Sequence, residues 1–196
     1  YLFLKLKIRR KLAKENPKAY LPEVASTLNN LANLYADNNE FIQSDNNEHS
    51  KVLESYIEVI AIYKEFAKDD SKTYLPNVAI TLEYLASFQS QINKFSEAIE
   101  NFQEASNIYI KLSKENPKEY LPSAASVFGS LAWFSLLNKD FILAETSAKK
   151  GLELAPDEEW INTNLVLAYV LQDKYEILMQ KLIDSQNISQ MCNTET

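Results

Sequence analysis

The chain has 196 residues, 46% of them hydrophobic, and a net charge of -7, so it carries enough apolar material for a packed core and is no disordered tail. Its two glycines, Gly129 and Gly151, are too few for a phosphate-cradling loop, and its single cysteine, Cys192, excludes an internal disulfide and fits a reducing, cytoplasmic setting. The charge is uneven: residues 1–18 carry seven bases and one acid, and the remainder thirteen bases and twenty-six acids, an acidic body that argues against a nucleic-acid partner. No apolar run approaches the length of a bilayer span, so no membrane partner is expected. The basic start reads as the solvated face of one helix, with contact to an acidic partner as the alternative.

In chain order, residues 2–15 come first. Leu2, Leu4, Leu6 and Ile8 alternate like a strand, yet Ile8, Leu12 and Glu15-Asn16-Pro17-Lys18 match Ile108, Leu112 and Glu115-Asn116-Pro117-Lys118 at a constant offset of 100. The match favours a helix, the second half of a truncated repeat. Next comes Tyr20-Leu21-Pro22, which returns as Tyr74-Leu75-Pro76 and Tyr120-Leu121-Pro122, each time followed by Leu-Ala at the same distance: Leu31-Ala32, Leu85-Ala86 and Leu131-Ala132. A phrase with this period means stacked equivalent units.

Proline suits a first helical turn and disfavours helix in the residue before it, so helices are expected over about 22–37, 76–91 and 122–137. Their apolar residues recur at spacings of three and four, the helical signature. Polar turns lead to second helices at about 51–68, 95–114 and 141–154. The first unit is eight residues longer than the second, and the surplus falls in the polar run 43–50, read as an inserted loop that contains His49. Loop length costs stability only slowly, so a neutral insertion is the simpler reading. After Pro156, helices are expected at about 158–172 and 175–184, then a polar tail over 185–196. The chain opens without Met inside what reads as a repeat, so it is expected to be a piece of something longer.

These residues resemble the tetratricopeptide repeats, and most closely the longer-helix version found in kinesin light chain and in many bacterial multidomain proteins. The run Thr27-Leu28-Asn29-Asn30-Leu31-Ala32-Asn33-Leu34-Tyr35 is similar to that subfamily's first helix, and Ala32, Ala86 and Ala132 supply the small residue expected at a helix crossing, where Val166 departs. Ala98 and Ala144 match in the second helices, Ala105 and Gly151 follow seven residues later, and Pro156 matches the closing proline. The resemblance covers about residues 2–184. It implies an all-α fold, a right-handed α-solenoid of antiparallel helix pairs, divided into a partial repeat 1–19 and repeats 20–73, 74–119, 120–156 and 157–184. It also implies a concave groove lined by the first helices. At the matching positions stand Asn29, Asn33, Glu83, Ser87, Ser126, Ser130, Trp133, Thr163 and Leu167, with Asn30, Tyr84 and Asn164 at the edge.

Asn can donate to and accept from a peptide backbone, and an exposed Trp133 would serve as an anchor unless it packs under the last repeat. Asn33→Ala is expected to spare the fold. Tyr20, Tyr74 and Tyr120 are expected to lie against the next repeat. His49 is the sole histidine and has no partner at ligand spacing, so neither a metal site nor a Ser-His-Asp or Cys-His arrangement is expected. Asp157-Glu158-Glu159 at a helix start is explained by the helix dipole. The expected function is a non-catalytic protein- or peptide-binding scaffold without cofactor. Its partner would be an extended chain, with basic residues favoured by the acidic body. Self-association through Leu2, Leu4 and Ile8 of the truncated repeat is a further expectation. The alternative is a regulatory or oligomerising segment of a larger enzyme.

Overall fold

A computed structural model of the chain describes residues 1–37 and 46–174, together with 177 and 180. Eight helices are described: α1 (Leu2–Glu15), α2 (Pro17–Ala36), α3 (Asn46–Phe66), α4 (Ser71–Gln91), α5 (Phe95–Ser113), α6 (Pro117–Leu137), α7 (Phe141–Leu154) and α8 (Glu159–Leu171). Each packs on its successor, and α6 also touches α8. Among the described residues there is no strand. The result is an all-helical solenoid of stacked neighbours.

The first helices begin five residues earlier than the Tyr-Leu-Pro phrase suggested. The starts are set by Asx residues, which accept orphan amide donors at helix N-termini. Asn16 Oδ1 accepts from the Ala19 amide at 3.2 Å and Asp70 Oδ1 from the Thr73 amide at 3.1 Å. Asn116 stands at the same position but makes no capping bond, its side-chain amide donating to Glu119 instead, and Pro17 and Pro117 take the first helical turn. Pro22, Pro76 and Pro122 therefore lie inside their helices. Each removes one i→i−4 bond, and the carbonyls left over belong to exposed Lys18, Lys72 and Lys118, where water can replace the bond.

This earlier start also moves the tyrosines. Tyr74, in the first turn of α4, stacks on Tyr63 of α3 with ring centroids 6.2 Å apart, and Tyr120 stacks on Tyr109 of α5 at 6.4 Å. They lie against the preceding helix, not the next repeat. At the offset of 100 Arg9 replaces Tyr109, so Tyr20 has no such partner ring.

The presumed loop 43–50 is helical from Asn46 onward, and 43–45 lie outside the described residues. His49 belongs to α3, where its ring meets the Phe88 ring edge-on at 5.9 Å. Helix 175–184 and the tail 185–196 also fall outside the described residues, apart from 177 and 180.

The core runs as one cluster from Leu6 of α1 to Leu131 of α6. Two smaller clusters serve the last unit, one around Ala132, Ala148, Ile161, Leu165 and Tyr169, the other around Leu136, Ala144 and Ala168. The alanines at the crossings, Ala32, Ala86, Ala98, Ala132 and Ala144, are all buried, and Val166 is only half-buried. On α1, Phe3 and Leu4 are each 63% exposed and Ile8 51%, whereas Leu2 packs against the core. Arg9 pairs with Glu23 of α2 at 2.9 Å and Arg10 with Glu58 of α3 at 2.5 Å, so part of the basic start is neutralised within the chain. Taken alone, α6 is long and apolar enough to cross a membrane, contrary to the sequence reading. Here half of its most apolar stretch is buried against the neighbouring helices.

Three first helices end the same way. The residue after the cap adopts a left-handed backbone: Asn93 after α4 (φ 60), Lys139 after α6 (φ 63) and Asp173 after α8 (φ 56). The following amide then reaches five residues back, as Lys94 N–H does to Gln89 O at 2.8 Å and Asp140 N–H to Ser135 O at 2.9 Å. Lys139 carries a Cβ in a conformation that costs about 1 kcal/mol outside glycine. Lys139→Gly is expected to raise stability by about 0.5–1 kcal/mol, checked by urea unfolding.

Glu145 of α7 ties down the end of α8. Its carboxylate accepts from Lys149 and Lys174 at 2.7 Å each and from Gln172 Nε2 at 3.0 Å. Burial alone would raise its pKa, but these bonds outweigh it and hold the carboxyl at about 2, below its ordinary 4.5. The stabilisation is therefore complete above about pH 4.5 and fades as pH falls toward 2. Glu145→Gln is expected to cost about 2 kcal/mol at neutral pH and to flatten the acid limb of the stability curve, read from denaturant midpoints between neutral and acid pH.

Candidate functional site

The seven expected groove residues all lie on the first helices: Asn29 and Asn33 on α2, Glu83 and Ser87 on α4, Ser130 and Trp133 on α6, and Thr163 on α8. Aligned on their Leu-Ala pairs, Asn29, Glu83, Gly129 and Thr163 occupy one register position, and Asn33, Ser87, Trp133 and Leu167 the next turn. The 3.6-residue period that buries Leu31, Leu85, Leu131 and Leu165 sets this row apart from the core.

Their environments differ. Ser87 and Thr163 are exposed; Asn29, Asn33, Glu83 and Ser130 are half-buried; Trp133 is 42% exposed. Asn33 Oδ1 accepts the hydroxyl of buried Tyr56 at 2.7 Å, and Glu83 Oε1 accepts that of buried Tyr109 at 2.6 Å. Both residues are thus tied to the second helices as well as facing outward, so Asn33 is less dispensable for stability than the sequence implied. Burial raises the Glu83 carboxyl above its usual range, and the Tyr109 hydrogen bond pulls it part of the way back. Burial and Glu83 together push the Tyr109 hydroxyl upward, which keeps it a proton donor. Asn29 Oδ1 is buried without a donor among the described residues.

Among the described residues, Ser130, Trp133 and Thr163 come together in one hollow. Its volume is about 410 Å³, and Phe134, Trp160 and Asn164 complete its lining. Asn29, Asn33, Glu83 and Ser87 do not line it. Asn164 is not an edge contact: it is buried, with Nδ2 donating to Gly129 O at 3.1 Å across the α6–α8 seam.

Trp160 was missed by the sequence reading. Its ring occupies the space over Gly129, where an added Cβ would come within 2.1 Å of Trp160 Cη2 and 2.8 Å of Ile161 Cγ1. Its Nε1 donates to Glu158 at 2.9 Å. The available signal was Gly129 itself, a glycine inside an apolar helix, which marks a close approach. Among the described residues no group of three or more His, Cys, Asp and Glu side chains gathers as a metal site.

Gly129→Ala sets about 1 kcal/mol of gained helix propensity against overpacking of about 1–3 kcal/mol. The methyl is expected to push the Trp160 indole off its seat. The measurement is tryptophan emission, which should move to the red in the variant while helicity by circular dichroism is kept.

No protein-family model matches the sequence, and no curated protein matches it. Among solved structures, the crystal structure of BtubC (BKLC) from P. vanneervenii superposes with a TM-score of 0.51 at 16% identity, over 98% of this chain and 89% of that one. A de novo designed helical repeat protein gives a TM-score of 0.45 at 16% identity, over 91% of this chain and 95% of its own. The likeness to BtubC shows the fold: a helical-repeat solenoid.

Proposed function

We propose that the chain is a tetratricopeptide-type, non-catalytic scaffold that binds a protein or extended peptide along its first-helix face. The observation that carries this reading is a segregation of charge. Beyond their first two turns, α2, α4, α6 and α8 contain one charged residue, Glu83, and it is half-buried under the Tyr109 hydroxyl. By contrast α5 alone carries Glu97, Glu100, Glu104 and Lys111. In place of charge the first helices expose Leu34, Ile80, Tyr84, Trp133, Leu137 and Leu167. A row of apolar and neutral polar side chains is what an interaction surface presents at its centre, where charged residues are depleted. The acidic second helices add long-range steering of basic partners rather than direct contact, a term that salt weakens.

A second reading, a regulatory or oligomerising segment of a larger enzyme, draws on Phe3, Leu4 and Ile8 of α1, a face that a further helix or a second copy would bury. The first reading is tested by selecting binding peptides from a displayed library and titrating them against variants. Trp133→Ala is expected to weaken binding by about 2 kcal/mol or more, and Glu100→Ala on a second helix by a few tenths at most. Asn33→Ala weakens binding and also costs about 1–2 kcal/mol of stability, because Tyr56 loses its acceptor. Selected peptides indifferent to Trp133 and Asn33 but sensitive to Glu100 would place the partner on the other face.

A further inference from the structure

Two hollows meet at Trp160. One is the dish of about 410 Å³ between Trp133 and Trp160. The other, about 530 Å³, follows the start of α6 past Pro117, Leu121 and Pro122 to Trp160. The second exists because α8 starts late. Aligned on Leu131 and Leu165, residues 117–124 of α6 have no counterpart in α8. The last unit therefore leaves one side of α6 uncovered, and Trp160 stands as a divider in the opening.

Resting on the first-helix reading above, we infer that the dish is a subsite for one uncharged aliphatic or proline side chain of an extended partner segment. Three aromatic rings form its walls, from Trp133, Phe134 and Trp160, and its remaining lining is Ser130, Thr163 and Asn164. None of these ionises near neutral pH. Trp133 and Trp160 stay 42% and 43% exposed, so a partner's apolar group removes indole surface from water that the fold itself leaves wet. The walls are held in advance. Phe134 lies parallel to Phe102, 5.3 Å between centroids and 6° between planes. Trp160 is fixed by Glu158 and by its seat on Gly129, and Asn164 by the Gly129 carbonyl. A pocket already in shape loses little freedom on binding.

Charge decides the ligand class. A cation would gain only a modest attraction over rings this exposed, and no carboxylate lines the dish to offset its desolvation. The Glu158 carboxylate already accepts the Trp160 N–H. An anion would face the negative faces of the indoles. A neutral side chain meets neither penalty; for the partner's backbone the lining offers the Ser130 hydroxyl and, as an acceptor only, the Thr163 hydroxyl, whose proton goes to Glu159 O at 3.0 Å.

Trp133 and Trp160 are the two tryptophans of the whole chain, so tryptophan emission reads the dish through Trp133 and both hollows through Trp160. The probes are three blocked glycine-serine hexapeptides with leucine, lysine or glutamate at the centre, titrated to millimolar concentration. The leucine probe is expected to shift emission to the blue saturably and to protect the indoles from acrylamide. The lysine and glutamate probes should bind about tenfold more weakly or worse, and Trp133→Ala should lose about tenfold or more for the leucine probe while the Trp160 signal remains. Trp133→Phe, which keeps an aromatic wall, retains most of the affinity and guards against misfolding of the alanine variant. Equal response to all three probes, stronger binding of lysine, or no saturable response overturns the subsite. Amide shifts at Ser87 and Tyr84 with both indole signals unmoved would overturn it and leave the scaffold reading standing. The absence of shifts anywhere on the first helices would remove both.

Discussion

Everything in this structure depends on how closely the helices can approach. A stack of helix pairs has no central core, so each interface must bury its apolar stripe between two thin cylinders. Helices reach the short end of the 8–10 Å packing range only where their side chains are small. Ala32, Ala86 and Ala132 on the first helices, and Ala98, Ala105, Ala144 and Ala148 on the second, provide that room and are almost completely buried. In the last unit the demand is greater: Gly151 stands where the preceding second helix has Ala105, and Gly129 where the earlier first helices have Asn29 and Glu83. Gly129 and Gly151 both face Ile161, and Gly129 also faces Trp160. That closer seam brings α8 against α6 and forms the aromatic dish as a by-product of packing.

The same division of labour sorts the polar residues. Second helices carry most of the ion pairs among the described residues, such as Lys64 with Glu104 at 2.6 Å and Lys149 with Glu145 at 2.7 Å. First helices use mostly neutral groups; the buried Thr27 and Thr81 hydroxyls bond within their own helices, whereas Ser135 Oγ is buried without a partner among the described residues. Thr27 donates to Glu23 O at 2.9 Å and Thr81 to Asn77 O at 2.7 Å. The two faces thus differ in hydration: one is strongly solvated, the other sheds water at small cost. Asn33 and Glu83 stand at the boundary, each holding a tyrosine hydroxyl from the second helices.

The helices themselves were legible because period and repeat reinforce each other. The Leu-Ala register and the offset of 100 between Ile8 and Ile108 placed α1, α5, α7 and α8 within a residue or two of their observed bounds. The starts of α2, α4 and α6 were misread because proline was given more weight than the Asx residue six places before it, which at Asn16 and Asp70 makes a capping bond. The start of α3 was hidden by the polar composition of 46–50, which carries no apolar stripe to mark a helix. Of the candidate site, the row of first-helix positions could be read from register. What gathers in one hollow could not, because it depends on Gly129 admitting Trp160 from a helix thirty-one residues away.

The core is not continuous to its end. One apolar cluster links α1 to most of α6, whereas Ala132 and Leu136 at the end of α6 join the separate clusters of α7 and α8. Leu143 and Leu154 of α7 still pack against the first cluster, so α7 couples the two; in a stack of nearest-neighbour interfaces units are held only by such contacts and can open one at a time. The dish lies across the α6–α8 seam, with Ser130 and Trp133 on one side and Trp160 and Thr163 on the other. Any molecule seated there bridges two units that would otherwise separate, so occupancy and local opening are linked equilibria. Binding slows the release of the last unit, and release of the last unit destroys the site.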